Sequence, residues 1–555
     1  MRKTVVIPAA GLGSRLDEFT KNYNKAMCTL GPKPVISYII EKFTKDDEII
    51  ILLGYKGDLL KQVVQACYPD WNIKFILVDC FQGAGSGLGY SLSCAKDLLQ
   101  KPFMFWSNDS IIDEDIDQFD FSHNFMVLSK FRPDKADSYR HAKVGKYQVQ
   151  SILPKGEYDS TGETTLPYIG ISYIKDYKQF WKVQEDMYEL FVNAGESAGL
   201  QNLPDKRYFV TSTWTDTGNK EELIAAKERF SKNMEATILE KPEEAIWFID
   251  NKVVKFHIDK NFISGRVKRF HTFINDDMKE AGITMPKLIS NSANVYVYEK
   301  AQGKIMSKEV TPESFNEFIR LFFNSVHERH VSDEYKAMIY NDFYKNKTLS
   351  RIEKYCKGWE DLDGDCIING ILCRSAARII NAIDWNELAK KAIITDNYHG
   401  DFHLENILIN KQGEGNEKKT EYVMLDWRQN FGNTFDGDIY YDLAKMWHSL
   451  IVNHNMVKDN LFTFRQKANG DYEIDIHRSF IDTECEEKFK KFLENSHYDG
   501  VLTEFLTAVI FLNIAACHVG VYSSFLFYLG KYLINKFMMK YPQYLKPIRE
   551  MNENQ

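Results

Sequence analysis

The stretch Thr4-Val5-Val6-Ile7-Pro8-Ala9-Ala10-Gly11-Leu12-Gly13-Ser14-Arg15 decides the fold of the first part of the chain. Its apolar start indicates a buried strand. The glycines that follow leave backbone N–H groups exposed, and such groups bind phosphate together with the positive end of a helix. The stretch therefore predicts a strand, a phosphate-binding loop and a helix.

The pattern begun by this strand continues for about 230 residues. Further short apolar runs alternate with amphipathic helical stretches, and they are Ile49–Leu53, Lys74–Val78, Phe103–Trp106 and Phe125–Leu128. Alternation of strands and helices favours an α/β fold with a doubly wound, mainly parallel sheet.

The pattern changes after residue 232. The helix-like segment Lys220–Met234 ends near this point, and a strand pair follows, Ala245–Ile249 and Lys252–Phe256, joined at Asp250-Asn251. From Thr311 onward helical patterns dominate. Since 555 residues are enough for several cores, we predict one domain at 1–232, a small lobe at 233–310 and a large helical lobe at 311–555.

Charge and cysteine usage limit the classes of protein. The net charge of −8 provides no broad basic surface, so we expect no nucleic-acid partner; the cluster Arg266-Val267-Lys268-Arg269 is typical of a solvated helix face. The nine cysteines show no Cys-x-x-Cys spacing, which favours free thiols in a reducing compartment.

Two segments bear on membranes and localisation. The apolar run after Met1 is too short for a signal peptide, and we predict a cytoplasmic protein. The stretch 505–530 lacks Asp, Glu, Lys and Arg and is long enough to span a bilayer. Polar residues such as Asn513 interrupt it, and we expect no stable membrane insertion.

Two cations accompany the glycine loop. Arg15 lies within it and Lys25 follows ten residues later. Positive charges in these places suit a nucleoside triphosphate whose α-phosphorus is attacked and whose leaving pyrophosphate must be neutralised.

The segment Ala9–Arg15, with Asn24-Lys25 where the usual motif is Pro-Lys, resembles the nucleotidyltransferase family of sugar-phosphate nucleotidyltransferases and phosphocholine cytidylyltransferases. The resemblance covers about residues 1–230 and also includes Ser107-Asn108-Asp109 and Trp214-Thr215-Asp216-Thr217-Gly218. It implies catalytic Arg15 and Lys25, and a reaction in which the acceptor's phosphate oxygen attacks the nucleotide directly. By the same resemblance, Asp109 and Asp216 hold Mg²⁺, Lys155 contacts the acceptor's phosphate, and the nucleotide is bound by Ala10, Gly11, Gly13, Gln82 and Gly87.

A second phosphate chemistry is indicated by His399-Gly400-Asp401-Phe402-His403-Leu404-Glu405-Asn406 and by Asp426. Phosphoryl transfer from ATP needs a carboxylate that orients the acceptor hydroxyl and accepts its proton, together with an amide and another carboxylate that hold Mg²⁺. Asn406 follows Asp401 by five residues, which is the interval of a kinase catalytic loop. Asp426 ends the second strand of the next predicted hairpin, Ile407–Ile409 with Tyr422–Leu425.

The form of this loop, and Gly437-Asp438-Ile439-Tyr440-Tyr441-Asp442 further on, resemble the aminoglycoside phosphotransferase and choline kinase family. The resemblance spans about residues 235–555 and implies a bilobal α+β kinase-like fold with a large helical C-lobe. It assigns Asp401 as the catalytic base, Asn406 and Asp426 as Mg²⁺ ligands, and Lys255 to the ATP phosphates. Arg428 stands where choline kinases carry a glutamate, so it suits an acceptor with hydroxyls or an anion.

The two halves together predict a bifunctional enzyme of surface polysaccharide or lipid decoration. ATP phosphorylates a small alcohol, and a nucleoside triphosphate, with CTP favoured over UTP or dTTP, then activates the phosphate. The alternatives are a sugar kinase with an NDP-sugar pyrophosphorylase, a choline or ethanolamine kinase with a cytidylyltransferase, or one half that is an inactive binding or regulatory module. The acceptor, channelling and oligomeric state, a homo-oligomer included, stay open.

Overall fold

The protein is described from a computed structural model, which covers residues 2–232, 242–358, 360–412 and 419–545. The chain forms two compact units. The first comprises Met1–Ile263 with Leu288–Lys300, and the second comprises Ser264–Lys287 with Ala301–Gln555. The domain boundaries at 232 and 310 differ from this division and stay predictions.

The secondary structure up to residue 300 alternates strands and helices. The strands are β1 (Thr4–Ala9), β2 (Thr29–Leu30), β3 (Lys33–Pro34), β4 (Glu48–Leu53), β5 (Ile73–Leu77), β6 (Phe103–Trp106), β7 (Ser110–Ile111), β8 (Asn124–Ser129), β9 (His141–Val144), β10 (Val149–Ile152), β11 (Thr165–Ile174), β12 (Lys206–Thr211), β13 (Thr215–Asp216), β14 (Glu244–Ile249), β15 (Lys252–His257), β16 (Ile283–Thr284), β17 (Leu288–Asn291) and β18 (Val295–Glu299). The α-helices are α1 (Val35–Ile40), α2 (Gly57–Cys67), α3 (Leu88–Ser93), α4 (Tyr177–Asp186), α5 (Tyr188–Ala194), α6 (Glu196–Gln201), α7 (Lys220–Ser231), α8 (Lys260–Phe270) and α9 (Asp276–Glu280).

The large sheet of the first unit is built on a parallel run of strands in the order β5-β4-β1-β6. Alternate residues of β1 enter different cores: Val5 and Ile7 pack on one face of the sheet, and Val6 packs on the other. A sheet covered on both faces explains why its strands are continuous apolar runs. The α/β class and the predicted strands are confirmed. Beyond β6 the sheet is mixed, because β11 runs antiparallel to both β6 and β8.

A smaller antiparallel sheet in the order β14-β15-β18-β17 belongs to the same unit. Its hairpin β14–β15 has the predicted turn at Asp250, where φ is +51°. Trp247, fully buried, donates its indole N–H to Thr29 Oγ1 at 3.0 Å. Apolar residues of this sheet belong to the same hydrophobic core as Val5 and Ile7 of β1, so the sheet is part of the first unit.

The second unit is mostly helical. After residue 300 its strands are β19 (Lys304–Ile305), β20 (Cys366–Ile368), β21 (Ile371–Cys373), β22 (Ile394–Thr395), β23 (Ile407–Gln412), β24 (Lys419–Met424), β25 (Gly437–Asp438), β26 (Phe462–Gln466) and β27 (Tyr472–Ile476). Its helices there are α10 (Met306–Glu309), α11 (Pro312–Asn324), α12 (Asp333–Ile339), α13 (Lys347–Cys356), α14 (Ala376–Ala382), α15 (Trp385–Ala389), α16 (Ile439–Ile451), α17 (His454–Lys458), α18 (Phe480–Glu494), α19 (Gly500–Ala515) and α20 (Gly520–Lys540). A π-helical turn, Tyr340–Asn346, connects α12 to α13.

The uncharged stretch at 505–530 forms most of α19 and the first half of α20, which pack against each other. Leu512 and Phe525 are fully buried in the core of this unit. Across the part of the chain that the structure describes, no helix is both long enough and apolar enough to cross a membrane.

Candidate active sites

The glycine loop after β1 turns sharply into a short 3-10 helix, Ser14–Thr20. Gly13 has a φ of +67°, and a Cβ at this position would lie 2.9 Å from Thr20 Cγ2. Glycine is therefore required at Gly13 by backbone conformation and by space. An added Cβ at Gly11 would meet no atom within 4 Å, so this part of the loop borders open space. Ala10 accepts a hydrogen bond from Tyr55 N at 2.9 Å, which ties the loop to the end of β4.

Lys25 is positioned by its neighbour Asn24, which replaces the proline of the family motif. The fully buried Asn24 donates from Nδ2 to the carbonyls of Ala9 and Tyr55, both at 2.8 Å, and its Oδ1 accepts from Ala26 N. The three bonds fix the backbone that carries Lys25, whose Nζ lies 2.8 Å from Asp109 Oδ2.

Asp109 and Asp216 come from distant parts of the sequence and converge on one point. A Cβ at Gly218 would lie 3.0 Å from Asp109 Oδ2, 3.0 Å from Asp216 Oδ1 and 3.4 Å from Arg15 Nη2. The pairing of β13 with β7, in which Asp216 lies opposite Ser110, produces this convergence. Carboxylate oxygens are the ligands that Mg²⁺ prefers, and Gly218 leaves the space between them open. The donor set therefore fits Mg²⁺ held by Asp109 and Asp216.

Burial and the neighbouring charges set different pKa values for these two carboxyl groups. Burial raises the pKa of Asp109, but Lys25 and the hydroxyl of Ser107 outweigh it, and the pKa lies below its ordinary value. Burial, reinforced by the negative charge of Asp109, raises the pKa of Asp216. Tyr139 donates its hydroxyl to Asp216 Oδ2 at 2.9 Å. A divalent cation would relieve the repulsion between the two groups.

The loop from His399 to Asn406 is held rigidly inside the second unit. The buried carboxylate of Asp442 accepts backbone N–H bonds from His399 and Gly400, the latter at 2.7 Å. His399 bonds through Nε2 to the Leu425 carbonyl at 2.7 Å, and burial lowers its pKa to about 3. A neutral, buried histidine in these contacts supports the loop.

Asp401 lies at the centre of a polar network. Its Oδ1 is 2.8 Å from Lys445 Nζ and its Oδ2 is 3.4 Å from His403 Nε2. Asn406 Nδ2 donates to the Asp401 carbonyl at 3.0 Å. Burial raises the pKa of Asp401, but the charges of Lys445 and His403 outweigh it and hold the pKa well below its ordinary value. The carboxylate is therefore ionised and able to accept a hydrogen bond from a substrate hydroxyl.

Asn406 and Asp426 are brought together by the hairpin β23–β24. In its register Ile407 lies opposite Met424, and Leu425 N donates to the Asn406 carbonyl at 2.8 Å. Asn406 immediately precedes β23, and Asp426 follows the end of its partner β24. The two residues therefore lie at the same end of the hairpin. An amide oxygen and a carboxylate form an oxygen donor set that fits Mg²⁺. Asp426 has a φ of +58°, a strained conformation that is typical of functional positions.

The sequence interpretation of Arg266–Arg269 as a solvated helix face is wrong for both arginines. Arg266 is 8% exposed, and its Nη1 lies 3.1 Å from Asp426 Oδ1. Arg269 is fully buried and donates to the carbonyl of Tyr398. Their spacing of three residues places them on one side of α8, whereas Lys268 is exposed.

Comparisons with known proteins relate the chain to nucleotide-transferring enzymes. It is 25% identical over 267 residues to the bifunctional protein GlmU of Methanococcus vannielii, which is 45% of this chain and 60% of that protein. It is 28% identical over 151 residues to the choline-phosphate cytidylyltransferase of Streptococcus pneumoniae, covering 27% and 62% of the two chains. It is 31% identical over 208 residues to the UTP–glucose-1-phosphate uridylyltransferase of Staphylococcus epidermidis, covering 30% of this chain and 70% of that one. Through its N-terminal part, the chain belongs to the nucleotidyltransferase family.

Two further facts accompany this assignment. No family model matches the chain. Among solved structures, the UDP-glucose pyrophosphorylase of Acinetobacter baumannii aligns over 41% of this chain and 93% of its own, at 19% identity and a TM-score of 0.35. The chain spans about 60% of the length of the GlmU proteins of Methanococcus vannielii and Methanococcus maripaludis.

Gly87, assigned to nucleotide binding, and the nearby Gly89 have a packing role in the first unit. A Cβ at Gly87 would lie 1.9 Å from the Val192 carbonyl oxygen, and one at Gly89 would lie 1.9 Å from that of Phe191. Close contact between α3 and α5 therefore requires both glycines. Gln82 lies in the exposed turn before α3.

The structure places the remaining predicted site residues as follows. Lys155 is exposed in the turn after β10. Lys255 is buried on β15, within the first unit, whereas Asp401, Asn406 and Asp426 belong to the second unit. Arg428 donates its backbone N–H to the His399 carbonyl at 2.7 Å.

Sequence reasoning overlooked Lys445, Glu405 and the role of Gly218. Glu405 Oε2 lies 3.0 Å from His403 Nδ1, so the histidine is held between two carboxylates. Lys445 lies one helical turn after Asp442 on α16. This interval of three residues was the signal available in the sequence, because it places Lys445 on the helix face that supports the loop.

Proposed function

We propose that the chain is a bifunctional enzyme that phosphorylates a small alcohol with ATP and then transfers a nucleotidyl group to the new phosphate, with CMP favoured. The product is an activated precursor for the decoration of a surface polysaccharide or lipid. The observation that carries the transfer half is the convergence of Asp109, Asp216 and Arg15 at Gly218. The free thiols of the cysteines fit the reducing conditions of the cytoplasm.

In the nucleotidyl transfer, an oxygen of the acceptor's phosphate attacks the α-phosphorus of the nucleotide, and pyrophosphate leaves. Arg15 and Lys25 supply positive charge for the triphosphate. Mg²⁺ held by Asp109 and Asp216 would polarise the α-phosphate. The loop at Gly11 offers backbone N–H groups to the phosphates, and Lys155 is assigned to the acceptor's phosphate by resemblance alone.

In the phosphorylation, Asp401 orients the acceptor hydroxyl and takes up its proton while the γ-phosphoryl group is transferred. Its low pKa means that the carboxylate is ionised before the substrate binds and can accept a hydrogen bond from the hydroxyl. Asn406 and Asp426 would hold Mg²⁺ on the ATP phosphates. The role of Lys255 at the α- and β-phosphates rests on resemblance alone, and Arg428 is assigned to the acceptor.

The choice of nucleotide rests on two supports. The Gln82 segment resembles members of the family that read pyrimidines, and a similar relative is named a cytidylyltransferase. Another is named a uridylyltransferase, which makes UTP the next choice and a sugar kinase with an NDP-sugar pyrophosphorylase the second candidate. The choline or ethanolamine pathway is a further alternative, as is a chain in which one half only binds or regulates.

A matrix assay with the full-length chain tests this proposal. Acceptor alcohols and nucleotides are varied in the presence of ATP and Mg²⁺, and ADP and pyrophosphate are measured together. We expect Asp401→Asn to abolish ADP formation alone and Asp109→Asn to abolish pyrophosphate formation from a preformed acceptor phosphate. A variant that leaves both products unchanged would count against the corresponding site. If pyrophosphate forms only from phosphates that the kinase half cannot make, the two halves act in different pathways.

A further inference from the structure

Basic side chains gather beside Asp401 in the second unit. Lys347 and Arg351 are one turn apart on α13 and therefore share one face of that helix. Lys445, on α16, lies 2.8 Å from Asp401 Oδ1. Tyr441, one turn earlier on α16, has its ring centroid 5.6 Å from Lys347 Nζ. These contacts place the basic face of α13 next to the face of α16 that supports Asp401.

Arg428 joins the same cluster through an aromatic ring. Its guanidinium carbon lies 5.3 Å from the ring centroid of Phe343, and Lys347 Nζ lies 3.8 Å from the same centroid. Phe343 is buried and contacts Tyr441 at 5.0 Å between centroids. Lys347 and Arg428 therefore both lie against the ring of Phe343, an aromatic group of the kind that a quaternary ammonium substrate would need.

Within residues 2–232, 242–358, 360–412 and 419–545, no carboxylate forms a salt bridge with Lys347, Arg351 or Arg428. Lys445 is paired with Asp401. Burial, reinforced by the charges of Arg428, Arg351 and Lys445, holds the pKa of Lys347 well below its ordinary value. Cations without carboxylate partners are costly when desolvated, and an anionic ligand would relieve that cost.

We propose that the alcohol phosphorylated by this unit also carries an anionic group, a carboxylate or a phosphate, which is bound by Lys347, Arg351 and Arg428. The inference rests on the proposed kinase function. In the reaction, the acceptor's hydroxyl oxygen forms a bond to the γ-phosphorus of ATP, the bond to the ADP oxygen breaks, and the hydroxyl proton passes to Asp401. Lys445 stays with Asp401 and the transferred phosphoryl group.

The cluster therefore excludes choline and ethanolamine as preferred acceptors. A positively charged ammonium group would meet three cations, none of which is paired with a carboxylate in the part of the chain that the structure describes. A neutral polyol would leave the cations unpaired. A hydroxy acid or a polyol phosphate satisfies them with charge-assisted hydrogen bonds, which are the strongest type available to lysine and arginine.

The test compares acceptors of matched size and different charge on the full-length chain with ATP and Mg²⁺. The carboxylate acceptor is glycerate, the phosphate acceptor is glycerol 3-phosphate and the neutral acceptor is glycerol. Ethanolamine and choline are the cationic acceptors. We expect the kcat/KM for one anionic acceptor to exceed that for glycerol by about 100-fold, because a charged hydrogen-bonded group contributes of that order to binding. Glycerate and glycerol 3-phosphate distinguish the two anionic sources.

The variants Lys347→Gln and Arg351→Gln should each raise the KM for the anionic acceptor by about 10-fold and leave the KM for ATP unchanged. Lys354→Gln is the matched control, since Lys354 is exposed on the same helix. An equal rise in the KM for ATP would place the cluster on the nucleotide phosphates and overturn the inference. So would faster turnover of glycerol or choline than of both anions.

Binding without turnover separates this inference from the kinase proposal. Glycerate or glycerol 3-phosphate should raise the Tm of the full-length chain, and Lys347→Gln should abolish that shift while Lys354→Gln retains it. If the shift occurs but no acceptor yields ADP above the Asp401→Asn background, the kinase proposal fails and the anion site stands. If ADP forms from neutral or cationic acceptors and neither anion shifts the Tm, the anion site fails and the kinase stands. Absence of both signals overturns the anion site as well.

Discussion

Arg266 and Asp426 form a contact of 3.1 Å between Nη1 and Oδ1, and the same guanidinium group donates to the Trp427 carbonyl. The Arg266 side chain is 10% exposed and that of Asp426 is 35% exposed. The contact fixes the carboxylate proposed to hold Mg²⁺ for ATP. It also connects the part of α8 that belongs to the second unit to the end of the hairpin β23–β24.

Replacement of Arg266 by glutamine should destabilise the chain by about 2 kcal/mol, because it removes the buried guanidinium group that donates to the Trp427 carbonyl and contacts Asp426. The KM for ATP should rise at the same time, since Asp426 loses its orientation. Chemical denaturation and ADP release measure the two effects. Lys268→Gln is the control on the same helix, where Lys268 is exposed over the Phe435 ring, and it should cost about 1 kcal/mol or less. Equal stability of the two variants would contradict the role of Arg266.

Substitution of Gly218 by alanine should abolish most pyrophosphate formation and spare ADP formation. The new Cβ would lie 3.0 Å from both Asp109 Oδ2 and Asp216 Oδ1, in the space proposed for Mg²⁺. We expect a loss of about 100-fold in kcat for nucleotidyl transfer, which is typical of a displaced catalytic charge, and a higher Mg²⁺ requirement. The matched control is Gly500→Ala, where the added Cβ meets Leu493 at an ordinary 3.5 Å. Unchanged Mg²⁺ titrations of Gly218→Ala would place the metal elsewhere.

The sequence predicts the fold best where local pattern and tertiary structure agree. The apolar runs that become β1 and β4 are buried on both faces, so continuous hydrophobicity identifies them. Asp109 and Asp216 could be assigned from their motifs, but their convergence depends on the pairing of β13 with β7. No local signal specifies that pairing.

Other features depend on contacts between distant segments. The carbonyl of Val192 excludes any side chain at Gly87, and this steric reason is not readable from a glycine-rich turn. In the sequence, Arg266 resembles an exposed cation, because no local signal shows that the fold places Asp426 beside it. Asn24 departs from the family motif, yet its two side-chain bonds to carbonyls hold Lys25 in place.

Removal of the Lys25 charge should move the acid limb of the nucleotidyl transfer rate to higher pH. Burial raises the pKa of Asp109, and Lys25 is the main influence that lowers it. A group with a depressed folded pKa is ionised above that value and loses its contribution as the pH falls through it. In Lys25→Met only Ser107 and Arg15 still lower the pKa of Asp109, so Asp109 takes up a proton at a higher pH than in the parent chain.

The measurement for this prediction is the pH dependence of pyrophosphate release at saturating nucleotide and Mg²⁺. Loss of rate in Lys25→Met is expected at all pH values, since Lys25 also neutralises the triphosphate. The shift of the acid limb is the specific signature. Lys21→Met is the control, because Lys21 is exposed nearby. An acid limb at the same pH in Lys25→Met and in the parent chain would show that another group governs it.

The stability of the chain should fall between about pH 6.5 and pH 9 because of His403. Burial lowers the pKa of His403, but the charge and hydrogen bond of Asp401, with the bond to Glu405, outweigh it and raise the pKa to about 9. A group with a raised folded pKa stabilises the protein fully below its unfolded pKa, and that contribution is lost as the pH rises through the folded value. The loss amounts to about 3 kcal/mol for a shift of this size.

Denaturation of the parent chain across this pH range should show the decline, and His403→Gln should flatten it while lowering stability at pH 6. His477→Gln, at an exposed histidine, should keep the parent's slope. A flat parent curve, or an unchanged slope in His403→Gln, would show that His403 is not charged beside Asp401.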